Sequence, residues 1–177
     1  MMKAAFISRD GVINQPVDGG VTHRTQLQLV EGSVDAVVRM CKAGYTVVMV
    51  THQPGLSRGL FDLDELEAIH AIINDAVEDQ GGQISAIFYC PHDEDDHCYC
   101  RPPATGLLDV AAIELDCDLR QAPYFCRGLA TSHDALNNSA CANPEVAMAQ
   151  AKGCQPIICG PDQSLAQAVT DLLSQPL

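Results

Sequence analysis

Five short apolar runs, separated by helical patterns, constrain this chain more than any other feature. Residues 4–7, 45–50, 84–89, 124–126 and 155–159 have the length and composition of buried strands. Between them lie stretches with helical spacing. In residues 33–43, Val34, Val37, Val38 and Cys41 share one face, Ser33 is the expected cap and Gly44 the expected stop. A longer helix is expected from Asp62 or Asp64 to about Glu78, with Leu66, Ile69 and Ile73 on its apolar side. Residues 106–115, 144–152 and 163–173 complete the set, with Pro144 suited to a first turn. Residues 27–30 alternate in polarity, and 129–143 are polar and rich in Asn and Ser without a clear period. Strands alternating with helices imply βαβ units, a mainly parallel sheet and an α/β fold class. No linker or internal repeat interrupts the 177 residues, so one domain over 1–177 is the expectation.

Composition narrows the function classes. A net charge of −13 argues against nucleic acid or an anionic membrane as partner. No apolar run reaches the roughly 20 residues of a membrane span. The first residues lack the charged, apolar and cleavage regions of a secretory signal, which makes a cytoplasmic location the expectation. Nine Cys, an odd number, then point to thiols and metal ligands rather than a disulfide framework.

Four ligand-type residues cluster in one loop, residues 90–103. Cys90, His92, Cys98 and Cys100 form Cys-x-His…Cys-x-Cys. Three thiolates and an imidazole make a closed tetrahedral shell for a structural Zn²⁺. The acidic stretch from Asp93 to Asp96 has no apolar anchor of its own. His97 is the competing ligand, but its position beside Cys98 gives it poor reach.

The first strand runs into Ser8-Arg9-Asp10-Gly11-Val12-Ile13-Asn14. In open α/β sheets the carboxyl ends of the strands are where ligands bind. This segment resembles the first motif of the haloacid dehalogenase superfamily of phosphotransferases. Within it, the heptose-1,7-bisphosphate phosphatases are the nearest match. The resemblance implies a three-layer Rossmann-like fold without a cap domain, and it implies a zinc loop of the same pattern at the same place. That family reads Asp-x-Asp-Gly-x-x-Asn here, and its first Asp attacks phosphorus. This chain has Ser8 at the nucleophile position, and Asp10 matches the general acid and base. A Ser hydroxyl is not ionised and needs a base, whereas a carboxylate is ready at neutral pH.

The other motifs follow in order. The second, Thr-Asn-Gln-Ser-Gly-x-x-Arg-Gly in the family, is Thr51-His52-Gln53-Pro54-Gly55-Leu56-Ser57-Arg58-Gly59. Thr51, Gln53 and Arg58 are kept as candidate ligand contacts. The third, Cys-Arg-Lys-Pro-x-x-Gly, is Cys100-Arg101-Pro102-Pro103-Ala104-Thr105-Gly106. Arg101 remains a candidate ligand contact, and Pro102 stands at the position of the Lys that offsets charge. The fourth, a Gly-Asp pair with a second Asp four residues on, has no clear counterpart after Arg127-Gly128. Asp134 and Glu145 are the acids available to replace the missing Mg²⁺ ligands. With Ser8 in place of one oxygen ligand, Mg²⁺ is not expected.

The preferred expectation is a catalytically inactive relative, a pseudophosphatase acting as a structural or regulatory subunit. A protein partner or a homo-oligomer would then be its target, with 129–142 as the candidate contact surface. The alternative is an active sugar-phosphate phosphatase with rearranged groups. A third reading is a different hydrolase built on Ser8 and His52, which end neighbouring strands.

Overall fold

The computed structural model describes residues 2–128 and 143–174. Five strands form one sheet in the order β3-β2-β1-β4-β5, and every pairing is parallel. They are β1 (Ala4–Ser8), β2 (Thr46–His52), β3 (Ile84–Cys90), β4 (Pro123–Arg127) and β5 (Gln155–Cys159). The helices are α1 (Ser33–Lys42), α2 (Leu63–Glu78), α3 (Gly106–Glu114), α4 (Pro144–Ala151) and α5 (Leu165–Ser174). This is the three-layer, Rossmann-like arrangement expected from the alternating pattern. Among the described residues, no cap domain is inserted into it.

Side chains of β1 explain why both faces are covered. Successive residues of a strand point to opposite faces. Ala5 and Ile7 join a core with Val37 and Met40 of α1, Ile73 of α2 and Val169 of α5. Ala4 and Phe6 join a second core with Leu108 and Ala111 of α3 and Met148 of α4. A strand buried on both sides must be continuously apolar, which is why residues 4–7 carry no polar side chain.

The strand order reverses beside β1. From β1 the chain builds outward through β2 and β3, then returns to place β4 on β1's other edge. Ligands in open α/β sheets bind at such a switch point, outside the carboxyl ends of the strands. Here those ends carry Ser8 and Arg127, with Asp10 two residues beyond Ser8.

Several local expectations are corrected. Ser33 is the first residue of α1, not its cap. Gly32 caps the helix in a left-handed conformation at φ 75°, while Ser33 Oγ donates to the Ile13 carbonyl at 2.9 Å. That bond ties α1 to the segment after β1. The alternating stretch 27–30 forms no strand; only an isolated bridge links Leu29 to Asn14. Of the two acids proposed for the start of α2, Asp62 is the cap, accepting from the Glu65 N–H. Strands β2 and β4 each run past their apolar core, to His52 and Arg127, because ladder pairing continues there.

Candidate functional site

A buried guanidinium lies beneath the first motif. Arg9 is 0% exposed. Its Nη2 donates to Gln53 Oε1 at 2.9 Å and lies 3.1 Å from Asp10 Oδ2. Its Nη1 faces His70 Nε2 at 3.4 Å. Burial, and then Arg9 itself, bring the His70 imidazole down to about 4, so at neutral pH it is uncharged beside the cation. A buried charge persists only when paired and hydrogen-bonded, and Asp10 is the charge partner. Asp10 is also held by Asn14 Nδ2 at 3.1 Å and by Gln53 Nε2 at 2.8 Å. Gln53 Nε2 also donates to Thr51 Oγ, at 2.8 Å. The first two motifs are therefore one hydrogen-bonded unit, and Arg9 is its hub. Sequence reasoning missed Arg9 because a charge after a strand reads as a solvent-facing loop residue.

Ser8 has a different partner. Its Oγ donates to Glu145 Oε1 at 2.5 Å, across 137 residues of sequence. Glu145 is brought there by Asn143. That side chain donates to the Arg127 carbonyl at 2.8 Å and accepts from the Glu145 and Val146 amides, capping α4 against the end of β4. Burial raises the Glu145 carboxyl above its ordinary range, and the Asp10 charge adds to this while Ser8 opposes it. A raised carboxyl costs stability as the pH rises. The folded chain holds its proton more tightly, so stability falls once the unfolded chain ionises and levels off above the folded value. Glu145→Gln keeps an acceptor for Ser8 and removes the charge. It should raise the melting temperature by a few degrees at neutral pH and by nothing below the ordinary carboxylate range. Melting curves of both proteins across acid to neutral pH check this.

The first two motifs face a cavity of about 400 Å³, lined by Asp10, Gly19, Gly20, His52, Gln53 and Arg127 among others. Arg127 lies directly over Gly11. A Cβ on Gly11 would come within 2.4 Å of Arg127 Cδ, and Gly11 has φ 81°. Arg127 also borders a second cavity of about 580 Å³, which reaches Cys159 and Leu165. Arg58 lines the first cavity, but its guanidinium grips Asp93 with bonds of 2.6 and 2.7 Å. Arg101 turns to Glu94 at 3.5 Å, and Pro102 is buried. Asp134 and the 129–142 segment lie outside the described residues. His52 and Ser8 are engaged separately. His52 Nε2 lies 2.9 Å from the His92 carbonyl, and burial lowers its pKa. Ser8 is bonded to Glu145 instead, so no Ser–His pair is formed.

Among the described residues, the groups around Asp10 do not fit Mg²⁺. That ion requires an octahedral shell of oxygens. Both Asp10 oxygens already accept from Arg9, Asn14 or Gln53, and Glu145 accepts from Ser8. The end of β4 itself carries Arg127 rather than an oxygen ligand.

The 90–103 loop presents the opposite case. Cys90, His92, Cys98 and Cys100 bring one ligand atom each to within 4.8 Å of one another. Cys90 Sγ lies 3.7 Å from Cys98 Sγ and 3.3 Å from Cys100 Sγ, and His92 Nδ1 lies 3.2 Å from Cys100 Sγ. A tetrahedral zinc with Zn–S near 2.3 Å requires edges of about 3.8 Å, so a small contraction or expansion seats the ion. Burial pushes the Cys90 thiol well up, so thiolates packed this closely need a cation. His97 is not in the cluster; it has φ 47° and closes the short turn Glu94–Asp96. Among the described residues no other group of three or more candidate ligands comes together.

A parallel sheet of order 3-2-1-4-5, with an Asp at the end of its first strand and a Cys/His loop after its third, defines a haloacid dehalogenase-like phosphatase scaffold. No family model matches the chain. Individual proteins do. It is 43% identical over 122 residues to D-glycero-beta-D-manno-heptose-1,7-bisphosphate 7-phosphatase of Bordetella bronchiseptica, covering 69% of this chain and 68% of that one. It is 42% identical over 111 residues to the enzyme of the same name from Pseudomonas putida, covering 63% of each. The crystal structure of D,D-heptose 1,7-bisphosphate phosphatase from B. bronchiseptica, complexed with magnesium and phosphate, superimposes with a TM-score of 0.85. It is 32% identical and is covered completely by 99% of this chain. The chain belongs to the family of heptose bisphosphate phosphatases.

Proposed function

We propose that this chain is a heptose bisphosphate phosphatase-type domain, single over residues 1–177, that has given up the family's phosphoryl transfer and serves as a structural or regulatory subunit. The observation that carries this reading is the Ser8–Glu145 hydrogen bond at the nucleophile position. A hydroxyl replaces the ionised attacking group, and its one proton is directed into a carboxyl group whose pKa is raised. Pro102 at the lysine position and the absence of a clear Gly-Asp counterpart after Arg127-Gly128 agree with it. Each removes a charge that phosphoryl transfer uses, and that chemistry is mostly positioning and electrostatics. We assign Cys90, His92, Cys98 and Cys100 to a structural Zn²⁺ that fastens the 90–103 loop. Thr51, Gln53 and Asp10 are assigned to the floor of the cleft. Arg58 braces the zinc loop through Asp93, and Arg101 pairs with Glu94 within it. A protein partner or a second copy of the chain is the proposed target, and the cytoplasm the proposed location. No helix among the described residues is long and apolar enough to cross a membrane.

A second reading has its own support. The relatives' names favour an active sugar-phosphate phosphatase, and the same Ser8–Glu145 bond is what a Ser nucleophile with a carboxylate base would show. The deciding measurement is phosphate release from heptose bisphosphate with Mg²⁺ in excess. The first reading expects no release above background. Turnover that disappears in Glu145→Gln would establish the second.

A further inference from the structure

The two edges of the sheet differ in character. β5 is five residues long and carries Pro156, which has no N–H to offer a further strand. β3 is seven residues long, Ile-Ser-Ala-Ile-Phe-Tyr-Cys, and holds neither a charge nor a proline. Among the described residues it pairs only with β2. We propose that the outer edge of β3 is a docking site for an extended, basic segment of a partner protein, which adds a sixth strand to the sheet. This rests on the reading of the chain as a structural or regulatory subunit and names the kind of partner it takes.

An edge strand presents a row of unpaired N–H and C=O groups, and proteins blunt such edges with charge, proline or a cover. The sequence of β3 supplies neither charge nor proline, and its Ser85 and Tyr89 are exposed. An added strand turns successive side chains to opposite faces. Each face has a cavity to receive them. Beside the start of α2 lies one of about 710 Å³, walled by Leu56, Phe61, Leu63 and Tyr89. Beside α3 lies one of about 300 Å³, walled by Phe88, Tyr99 and Val110. The two meet at Tyr89, Pro91 and His92. Their apolar walls stand open, with Leu63 52% exposed and Tyr99 73%. The Tyr89 ring is set against the buried His70, with centroids 6.4 Å apart, so its direction is fixed before anything docks.

Charge selects the occupant. Asp62 and Asp64 line the cavity beside α2, and Glu94, Asp95 and Asp96 are exposed on the loop that follows His92. Among the described residues, neither cavity has a Lys or Arg in its lining. The cations nearby are engaged: Arg58 with Asp93, Arg24 with Glu65 and Arg101 with Glu94. A second copy would bring the same acidic rim to this edge, because a two-fold interface uses one patch on both chains. Like charges facing each other cost binding, and each copy carries a net charge of −13. A segment with apolar residues at alternate positions and Lys or Arg at its ends suits both the cavities and the rim.

The test selects a displayed library of random peptides on the zinc-loaded full chain. One enriched peptide is then synthesised and its affinity measured by fluorescence anisotropy. Enriched peptides should alternate apolar with polar residues and carry Lys or Arg at their ends. Affinity should fall about tenfold between low salt and about 1 M salt, where charges are screened beyond about 3 Å. Leu63→Ala and Tyr89→Ala should each weaken binding by about tenfold, the worth of one docked apolar side chain. Asp64→Lys should weaken it and flatten its salt dependence. Ile158→Ala, on the exposed face of β5, should leave it unchanged. Melting curves of all variants check the fold, and hydrogen exchange should slow at the amides of 84–90 when the peptide is bound. No enrichment on the folded wild type, acidic or unpatterned peptides, affinity unmoved by both Leu63→Ala and Asp64→Lys, or protection away from β3 overturns the proposal. A dimer of the chain that Leu63→Ala dissociates overturns the choice of occupant in favour of a second copy. Phosphate release by the wild type bears instead on the inactive-domain reading and leaves the docking edge standing.

Discussion

Cys98→Ser is expected to empty the metal shell, open the 90–103 loop to proteolysis and lower the melting temperature by roughly 10 °C. The two ends of the loop are tied to the domain by backbone bonds from the Gln53, Ser57 and Gly106 amides to the Cys90, Pro91 and Tyr99 carbonyls. Its acidic middle has less to hold it: the Arg58–Asp93 pair, a Ser57–Asp96 hydrogen bond at 2.8 Å and the neighbouring His52 contact to the His92 carbonyl, while Arg101–Glu94 closes within the loop. Exposed pairs of this kind contribute little, because solvent screens them. Zinc contributes on the order of 10 kcal/mol or more in small zinc-finger peptides, where metal binding and folding are one event. In this chain the sheet folds around its own apolar cores, so only part of that energy is exposed to loss. A loss of about 4 kcal/mol corresponds to roughly 8–16 °C for a domain of this size. The effect should reach the cleft, because His52 and Arg58 belong to the second motif and lean on the loop. Metal analysis should give one zinc per wild-type chain and none in Cys98→Ser. Less than half an equivalent in wild type prepared without chelator, or an unchanged melting curve for the variant, would remove the assignment.

How far the sequence carries can be judged residue by residue. The strands were legible because a strand covered on both faces has no polar positions, and residues 4–7 and 47–50 show that directly. The metal loop was legible because its four ligands lie within eleven residues and their types admit few other uses. Ser8 and Pro102 were legible as departures from a motif. What they face was not. The partner of Ser8 is Glu145, placed by packing of α4 against β4 and by the Asn143 cap, and no local pattern encodes a contact that distant. Arg9 was hidden for a different reason. A lone Arg after a strand is ordinarily solvated, and only the joint presence of Asp10, Gln53 and His70 makes its burial tolerable.

Ser8→Asp alone is expected to give no measurable phosphate release and a less stable protein. The introduced carboxylate would occupy the space where Ser8 Oγ now meets Glu145 at 2.5 Å, so a donor–acceptor pair becomes two acids in contact. Two carboxyl groups at that distance do not both ionise, and one must keep a proton. The new Asp would then be partly neutral, which defeats its use as a nucleophile. Catalysis would still lack the lysine charge at Pro102 and the carboxylates of the fourth motif, which have no clear counterpart after Arg127-Gly128. Each such group is typically worth about 10²–10³ in rate, and groups that act together do not contribute independently. Adding Pro102→Lys should therefore leave release at background, because the fourth motif's carboxylates remain missing. The sign of the stability effect also follows. The destabilisation should be present at neutral pH, where the two acids compete, and should shrink as the pH falls and both take up protons. Glu145→Gln in the Ser8→Asp background should recover the lost melting temperature at neutral pH, because an amide can donate to the new carboxylate. Melting temperatures of the four proteins and phosphate release with Mg²⁺ in excess are the measurements. Turnover by Ser8→Asp alone would show that the remaining groups suffice and that the site is one substitution away from an active phosphatase.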